Sequence, residues 1–325
     1  MAANGAAMVS GALTPDGLRA RLHGVIGFPV TPFSADLTID LPALRQNVRA
    51  MARHPLAAIV APSGTGELYS LAPAEHREIV LAAVQEASAA PGAAIPVIAG
   101  VGFNGPSAAA TARAAAEAGA SGILAFPPYY PQADDEGVLD HYRAIADATP
   151  LGLLVYSRDW FHPGPALVER LSALPTLVAW KEGQGDIRRL QILRSHLGDR
   201  LLWIGGAGDD LVPAYYAIGL RVFTSSISNL SPSLALQLHE AASSSDSATL
   251  SRLMSELVVP FYALRARRRG YEVTIVKELM NLLGLPGGVV RPPLPRLAES
   301  DLQALRSLVP TWQTVLNRPV SPGSR

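Results

Sequence analysis

The chain has 325 residues, 49% of them hydrophobic and 17% charged, enough to bury a large core as one α/β domain rather than two small ones. Lysine plus arginine and aspartate plus glutamate each number 27, so no global field gathers polyanions and nucleic acid is not an expected partner. The lack of cysteine excludes disulfides, iron–sulfur ligation, zinc–thiolate sites and a cysteine nucleophile.

Short apolar runs alternate with amphipathic or alanine-rich segments from near residue 24 to near residue 242. The runs predict strands at 24–30, 57–60, 95–99, 122–126, 151–156, 177–181, 201–204 and 221–224. Helices are predicted between and after them, near 40–52, 73–89, 106–118, 134–148, 164–173, 186–196, 208–218 and 231–242. Ser107, Asp134 and Asp186 mark first turns, and Gly119 and Gly219 fall where helices should stop. Strand–helix repetition at this spacing demands parallel pairing with right-handed crossovers, and eight units close a TIM (β/α)8 barrel. An open doubly wound sheet is the rival, but Gly100-Val101-Gly102-Phe103-Asn104-Gly105 does not keep the glycine spacing of its phosphate-binding turn.

Beyond the barrel, additional C-terminal helices are expected near 246–266, 271–283 and 298–308. The segment 284–293 combines glycines and prolines and cannot be a regular helix. The expected division is an N-terminal extension (1–23), the barrel (24–245) and a C-terminal helical extension with its tail (246–325). The first and last ten residues are expected to be mobile. The cluster Arg265-Ala266-Arg267-Arg268-Arg269 follows a predicted helix end, where solvated positive side chains meet the negative end of the helix dipole. No apolar stretch approaches a membrane span, and Met1-Ala2-Ala3-Asn4-Gly5 lacks the basic and apolar regions of a signal peptide. A cytoplasmic protein without membrane contact is the expectation.

Chemistry in a parallel barrel sits at the C-terminal ends of the strands. Lys181 closes the run Leu177-Val178-Ala179-Trp180, and Tyr156 closes the strand before it. The two can converge at the barrel mouth, where an amine losing hydration also loses proton affinity and can become a Schiff-base nucleophile. A strand-end lysine can equally snorkel from the rim. After the second strand, Ser63-Gly64-Thr65-Gly66-Glu67 offers glycine-exposed amides and two hydroxyls that could hold a carboxylate, or simply makes a tight turn. Glu67 has no nearby acidic or histidine partner and is read as a loop anchor. None of the seven histidines falls in a metal-ligand motif. Tyr129 and Tyr130 follow two prolines and suit packing or proton relay equally well. Arg158 offers a carboxylate-binding fork or bridges Asp159, and Ser225-Ser226-Ile227-Ser228-Asn229 forms a polar rim after the eighth strand.

These motifs occur in a specific order, with Phe28-Pro29-Val30-Thr31-Pro32-Phe33 ahead of them and Pro128-Tyr129-Tyr130 between the second-strand loop and Tyr156. In that order, from about Gly24 through Leu283, the chain resembles the dihydrodipicolinate synthase and N-acetylneuraminate lyase family of Schiff-base-forming aldolases and dehydratases. Through Tyr156-Ser157-Arg158-Asp159, Lys181-Glu182-Gly183-Gln184-Gly185-Asp186 and the strand-eight rim it most resembles the 5-dehydro-4-deoxyglucarate dehydratase subgroup. The resemblance implies a dicarboxylic sugar-acid substrate, a homodimer or homotetramer, and chemistry without metal, nicotinamide or pyridoxal phosphate. It implies Lys181 as nucleophile, Tyr156 with Thr65 as proton shuttle and Tyr130 as a further relay. It also implies Ser63, Gly64 and Thr65 as the 2-oxo acid site, and Arg158 with Ser226, Ser228 and Asn229 for the far carboxylate. Two departures are visible. Gly64-Thr65 stands where many members have two adjacent hydroxyl residues, and Ser157 stands where asparagine is common. The first removes one hydroxyl from the familiar relay. Other enzymes of the same imine chemistry, such as a lyase or synthase acting on another 2-oxo acid, and a non-catalytic sugar-acid binding barrel are the alternatives.

Overall fold

The computed structural model describes residues 13–129 and 131–316. Tyr130 and, apart from Leu316, the termini expected to be mobile lie outside the described residues. Helix α1 (Pro15–Arg21) precedes eight parallel strands: β1 (Gly24–Gly27), β2 (Ala58–Val60), β3 (Val97–Phe103), β4 (Gly122–Pro128), β5 (Gly152–Ser157), β6 (Leu177–Glu182), β7 (Leu202–Gly205) and β8 (Val222–Ser225). They pair in sequence order, and β1 pairs with β8 to close the barrel. Around it run α2 (Leu41–Ala52), α3 (Pro73–Ser88), α4 (Gly105–Glu117), α5 (Asp135–Ala146), α6 (Pro165–Leu171), α7 (Ile187–Leu197), α8 (Val212–Ala217) and α9 (Pro232–Ser243). Asp134 and Asp186 cap their helices as expected, accepting from Gly137 and Arg189 amides. The cap of α4 is Asn104, whose side chain accepts the Ser107 amide at 3.0 Å, and Ser107 lies in the first turn as expected.

Strand alternation separates two cores. Ile26, Val60, Ile98, Leu124, Leu154 and Ile204 fill the barrel interior, while Val25, Ile59, Ile123, Leu153, Trp180 and Phe223 face the helices. Helix α1 belongs to the inner core: buried Leu18 lies so close to Gly122 and Gly152 that a Cβ there would come within 2.4 and 2.9 Å of its Cδ2. The N-terminal extension thus contributes a helix that seals the barrel at the starts of β4 and β5. Only one short turn pair carries its apolar signal, too little to show a helical period in the sequence.

The register between β5 and β6 positions Tyr156 and Lys181. Leu153 pairs with Leu177 but Leu154 pairs with Ala179, an irregularity that inserts Val178 and brings Tyr156 opposite Lys181. Because side chains alternate faces, continuing the first register would have put Tyr156 opposite Trp180, which faces the helices.

The C-terminal extension differs in detail from expectation. The predicted helix over 246–266 is three pieces: α10 (Ser247–Leu253), a π-helical turn Met254–Val258, and α11 (Val259–Arg265). Pro260 lacks the amide that an unbroken helix would need there. Helix α12 (Tyr271–Leu282) and α13 (Glu299–Arg306) follow, and then α14 (Val309–Leu316), which the sequence reading ended before. Pro310 opens α14 rather than terminating its predecessor, and buried Trp312 packs edge-on to Phe261 at 5.6 Å. Among the described residues, no helix is long and apolar enough to cross a membrane.

Candidate active site

Lys181 is 2% exposed and 4% remains of Tyr156, so both sit inside the barrel mouth. The amine donates to the Gly206 carbonyl at 2.7 Å and lies 3.4 Å from the centre of the Tyr156 ring. Phe28 flanks it at 5.4 Å, and Phe126 meets the Tyr156 ring edge-on at 5.1 Å. Burial lowers the proton affinity of the amine; Tyr156 opposes that shift, and the nearby positive charge of Arg158 adds to it. Burial alone would raise the Tyr156 phenol, but the charges of Lys181 and Arg158, with the hydrogen bond from Arg158, overcome it and bring the phenol down to about 8. The two groups therefore titrate as a coupled pair, burial favouring the neutral amine and a charged amine favouring the ionised phenol.

Two glycines make room for this arrangement. A Cβ on Gly206 would fall 2.5 Å from Lys181 Cγ, and one on Gly183 would fall 2.2 Å from Tyr156 Cε2. Gly183→Ala is expected to displace the phenol, lowering turnover more than about tenfold and stability by about 1–3 kcal/mol, as overpacking does. Steady-state kinetics and thermal denaturation check it; an unchanged turnover would show that the ring need not hold this position. The loop after β6 is tied by Glu182, whose buried carboxylate accepts the Gln184 and Gly185 amides at 2.7 and 3.0 Å.

Arg158 donates through Nη1 to the Tyr156 hydroxyl at 3.1 Å and through Nε to Asp159 at 3.4 Å. The Asp159 contact joins side chains 42% and 72% exposed, a pair that solvent weakens. The same Nη1 lies 3.7 Å from where a Cβ on Gly64 would sit, so Arg158 spans from Tyr156 to the strand-two loop. In that loop Ser63 is buried and its hydroxyl accepts the Gly64 amide at 2.6 Å, while Gly64 and Thr65 are half-buried. Among the described residues, the Thr65 and Gly66 amides donate to no protein acceptor and the Thr65 hydroxyl has no hydrogen-bond partner. Buried Gly66 and half-buried Thr65 thus keep donors that no protein acceptor claims among the described residues.

The strand-eight rim is committed to protein contacts. Asn229 receives the Val30 amide and donates to Phe28 and Ser226 carbonyls, and the Ser228 hydroxyl donates to the Ser225 carbonyl. The Ser226 hydroxyl lies among Asp209, Tyr262 and Arg265, with Arg265 donating to it at 2.9 Å. Asp209 is fully buried and accepts from Tyr262 at 2.7 Å and from the Ser226 and Ile227 amides. Arg265 is therefore more than the solvated helix-end charge expected from the sequence: its guanidinium stacks 4.4 Å above Tyr262 and ties the extension to β8. Arg267 likewise pairs with Asp301 at 2.8 Å. The sequence marks Asp209 only as half of an acidic pair with Asp210 after the seventh strand and carries no signal for Tyr262, because their meeting depends on how the extension folds back.

Glu67 is the loop anchor expected, paired with Lys277 of α12 at 2.5 Å. Lys181 and Lys277 are the only lysines in the chain. Burial lowers Lys277 to about 8 against the pull of Glu67, so reduced proton affinity alone does not separate the two amines. Both amines face an aromatic ring and a carbonyl, and Lys181 differs in that, among the described residues, it has no carboxylate paired with it as Glu67 is with Lys277. Lys277 did have a sequence signal, a cation directly after the largely apolar run Val273-Thr274-Ile275-Val276.

A closed (β/α)8 barrel holding a buried lysine beside a tyrosine at the ends of adjacent strands has the constellation of an imine-forming enzyme. The model of the Dihydrodipicolinate synthetase family matches residues 21–311, and the chain belongs to that family. A probable 5-dehydro-4-deoxyglucarate dehydratase of Saccharopolyspora erythraea is 41% identical over 289 residues, covering 88% of this chain and 92% of that protein. A protein of the same description from Xanthomonas campestris pv. campestris is 39% identical over 88% of this chain and 93% of its own. Among solved structures, dihydrodipicolinate synthase from Bacillus clausii superposes with a TM-score of 0.85 at 28% identity, covering 91% of this chain and 99% of that one.

Proposed function

We propose that the protein is a Schiff-base-dependent dehydratase and decarboxylase that converts 5-dehydro-4-deoxy-D-glucarate to 2,5-dioxopentanoate, CO2 and water. The observation that carries the chemistry is the buried Lys181 amine 3.4 Å from the centre of the Tyr156 ring, with Arg158 on the phenol. The substrate assignment draws on the relatives named as probable dehydratases of this diacid.

Neutral Lys181 attacks the C5 ketone, and loss of the ketone oxygen as water gives an iminium. The iminium withdraws electrons, so a C4 proton leaves and the C3 hydroxyl departs as water by β-elimination. The conjugated iminium then accepts the C1–C2 electron pair as CO2 leaves. Protonation of the resulting dienamine and hydrolysis consume one water, release the semialdehyde and restore the amine. Tyr156 moves protons during carbinolamine formation and elimination, with Thr65 assisting. The carboxylate beside C5 lies against the Ser63–Thr65 loop, which holds C5 over the amine. Ser226, Ser228 and Asn229 shape the far side through the rim they brace, while Arg158 takes the far carboxylate. A homodimer or homotetramer belongs to the same reading, in keeping with the 70% exposed ring of Tyr129.

The direct test follows CO2 and semialdehyde release from 5-dehydro-4-deoxyglucarate, consumption of aspartate semialdehyde with pyruvate, and pyruvate release from N-acetylneuraminate. Turnover confined to either of the latter substrates would replace the dehydratase reading with a synthase or lyase. Arg158→Met keeps much of the stem and removes the fork, so diacid turnover should fall roughly 10–100-fold while borohydride trapping of the pyruvate imine persists. An equal decline of both, with a lower melting temperature, would return Arg158 to a structural bridge.

A further inference from the structure

The mechanism leaves one buried ion pair unused. Glu67 and Lys277 are 0% and 1% exposed, and they join the strand-two loop to the C-terminal extension across 210 positions of sequence. Lys277 also donates to the Val289 carbonyl at 2.7 Å, and the other Glu67 oxygen accepts the Arg291 amide at 3.0 Å. Arg291 then clasps the loop from outside, donating to the Ser70 carbonyl at 2.9 Å and to Glu75 at 2.6 Å. Gly287 allows the close approach, since a Cβ there would lie 2.3 Å from the Lys277 carbonyl oxygen. Glu67 itself adopts a left-handed backbone, φ 55°, directly after Ser63-Gly64-Thr65-Gly66.

Stability is a weak reason for such a pair, because burying two charges costs about what their attraction returns and apolar substitutes often hold a fold as well. The charges do supply direction. Their hydrogen bonds hold a strained residue and fix the turn that presents the Thr65 and Gly66 amides.

We infer that Glu67 and Lys277 are positioning residues through which the C-terminal extension sets the strand-two loop to receive the carboxylate of the 2-oxo acid. The inference rests on the assignment of Ser63, Gly64 and Thr65 as that receptor. The pair acts through the loop and contacts neither the nucleophile nor Tyr156.

The test is borohydride trapping of pyruvate on Lys181, titrated against pyruvate concentration, in the full chain. The double variant Glu67→Met/Lys277→Met removes both charges together and should keep a melting temperature near that of the wild type. Its half-saturating pyruvate concentration should rise about tenfold, with the same maximal labelling. A purely structural pair would leave half-saturation unchanged in a stable double variant, and that result overturns the inference. Should the double variant not fold, Glu67→Gln keeps the shape and the acceptor for Arg291. A raised half-saturation there supports the inference, and an unchanged one overturns it. Thr65→Val separates the two levels of argument. A rise for Thr65→Val with none for the pair overturns the pair's role alone, whereas no rise in either overturns the loop assignment and this inference with it.

Discussion

Lys181→Met should abolish turnover, by on the order of 10⁴-fold or more, and leave the barrel folded. A thioether cannot form an imine, yet the substitution fills a similar volume among Phe28, Tyr156 and the Gly206 carbonyl. Stability should rise rather than fall. Burial lowers the native-state pKa of Lys181 below its ordinary 10.5, so the unfolded chain holds the proton more tightly. That penalty on the wild type is fully present below the lowered native value and fades as pH climbs to the ordinary lysine range. The melting-temperature advantage of Lys181→Met should shrink in the same direction. Because the chain has only two lysines, reduction with borohydride and substrate gives an unambiguous peptide map. An adduct confined to the peptide carrying Lys277 would move the nucleophile to the extension and refute the site as described.

Tyr156→Phe should lower kcat by about 10²–10⁴-fold, the range lost with a positioned general acid–base group. The ring keeps its edge-on contact with Phe126 and its place under the amine, while the bond from Arg158 Nη1 disappears. The melting temperature should therefore stay within several degrees, the scale of a single hydrogen bond lost from a large domain. Borohydride should still label Lys181 given long exposure to pyruvate, since the amine remains. Turnover within a few-fold of the wild type would reduce Tyr156 to packing and leave another group to move the protons.

Much of this was legible before any coordinate. Apolar runs separated by capped helices required eight parallel strands, and parallel strands in that number close on themselves. Local signals sufficed for Asp134, Asp186, Gly119 and Gly219 because a cap or a left-handed stop is decided within one turn of chain. The prominence of Lys181 and Tyr156 also came from the sequence, since each ends an apolar run that can only be a buried strand.

What the sequence could not decide was everything that depends on register or on distant chain meeting chain. The irregularity at Val178 determines that Tyr156 and Lys181 face inward together, and nothing in Leu177-Val178-Ala179 announces it, because any of these residues packs equally well on either face. Arg158 reads as bridge or receptor in the sequence, and the fold keeps its contact with Asp159 while adding the Tyr156 hydroxyl and the approach to Gly64, which no local spacing announces. The rim hydroxyls read as free until Asp209, Tyr262 and Arg265 were seen to claim Ser226. Local chain chemistry thus determined the elements and singled out Lys181 and Tyr156 as strand-end polar groups. Only tertiary structure decided which polar groups are spent on the protein and which are left for a substrate, since a hydrogen bond between residues 210 apart has no local cause.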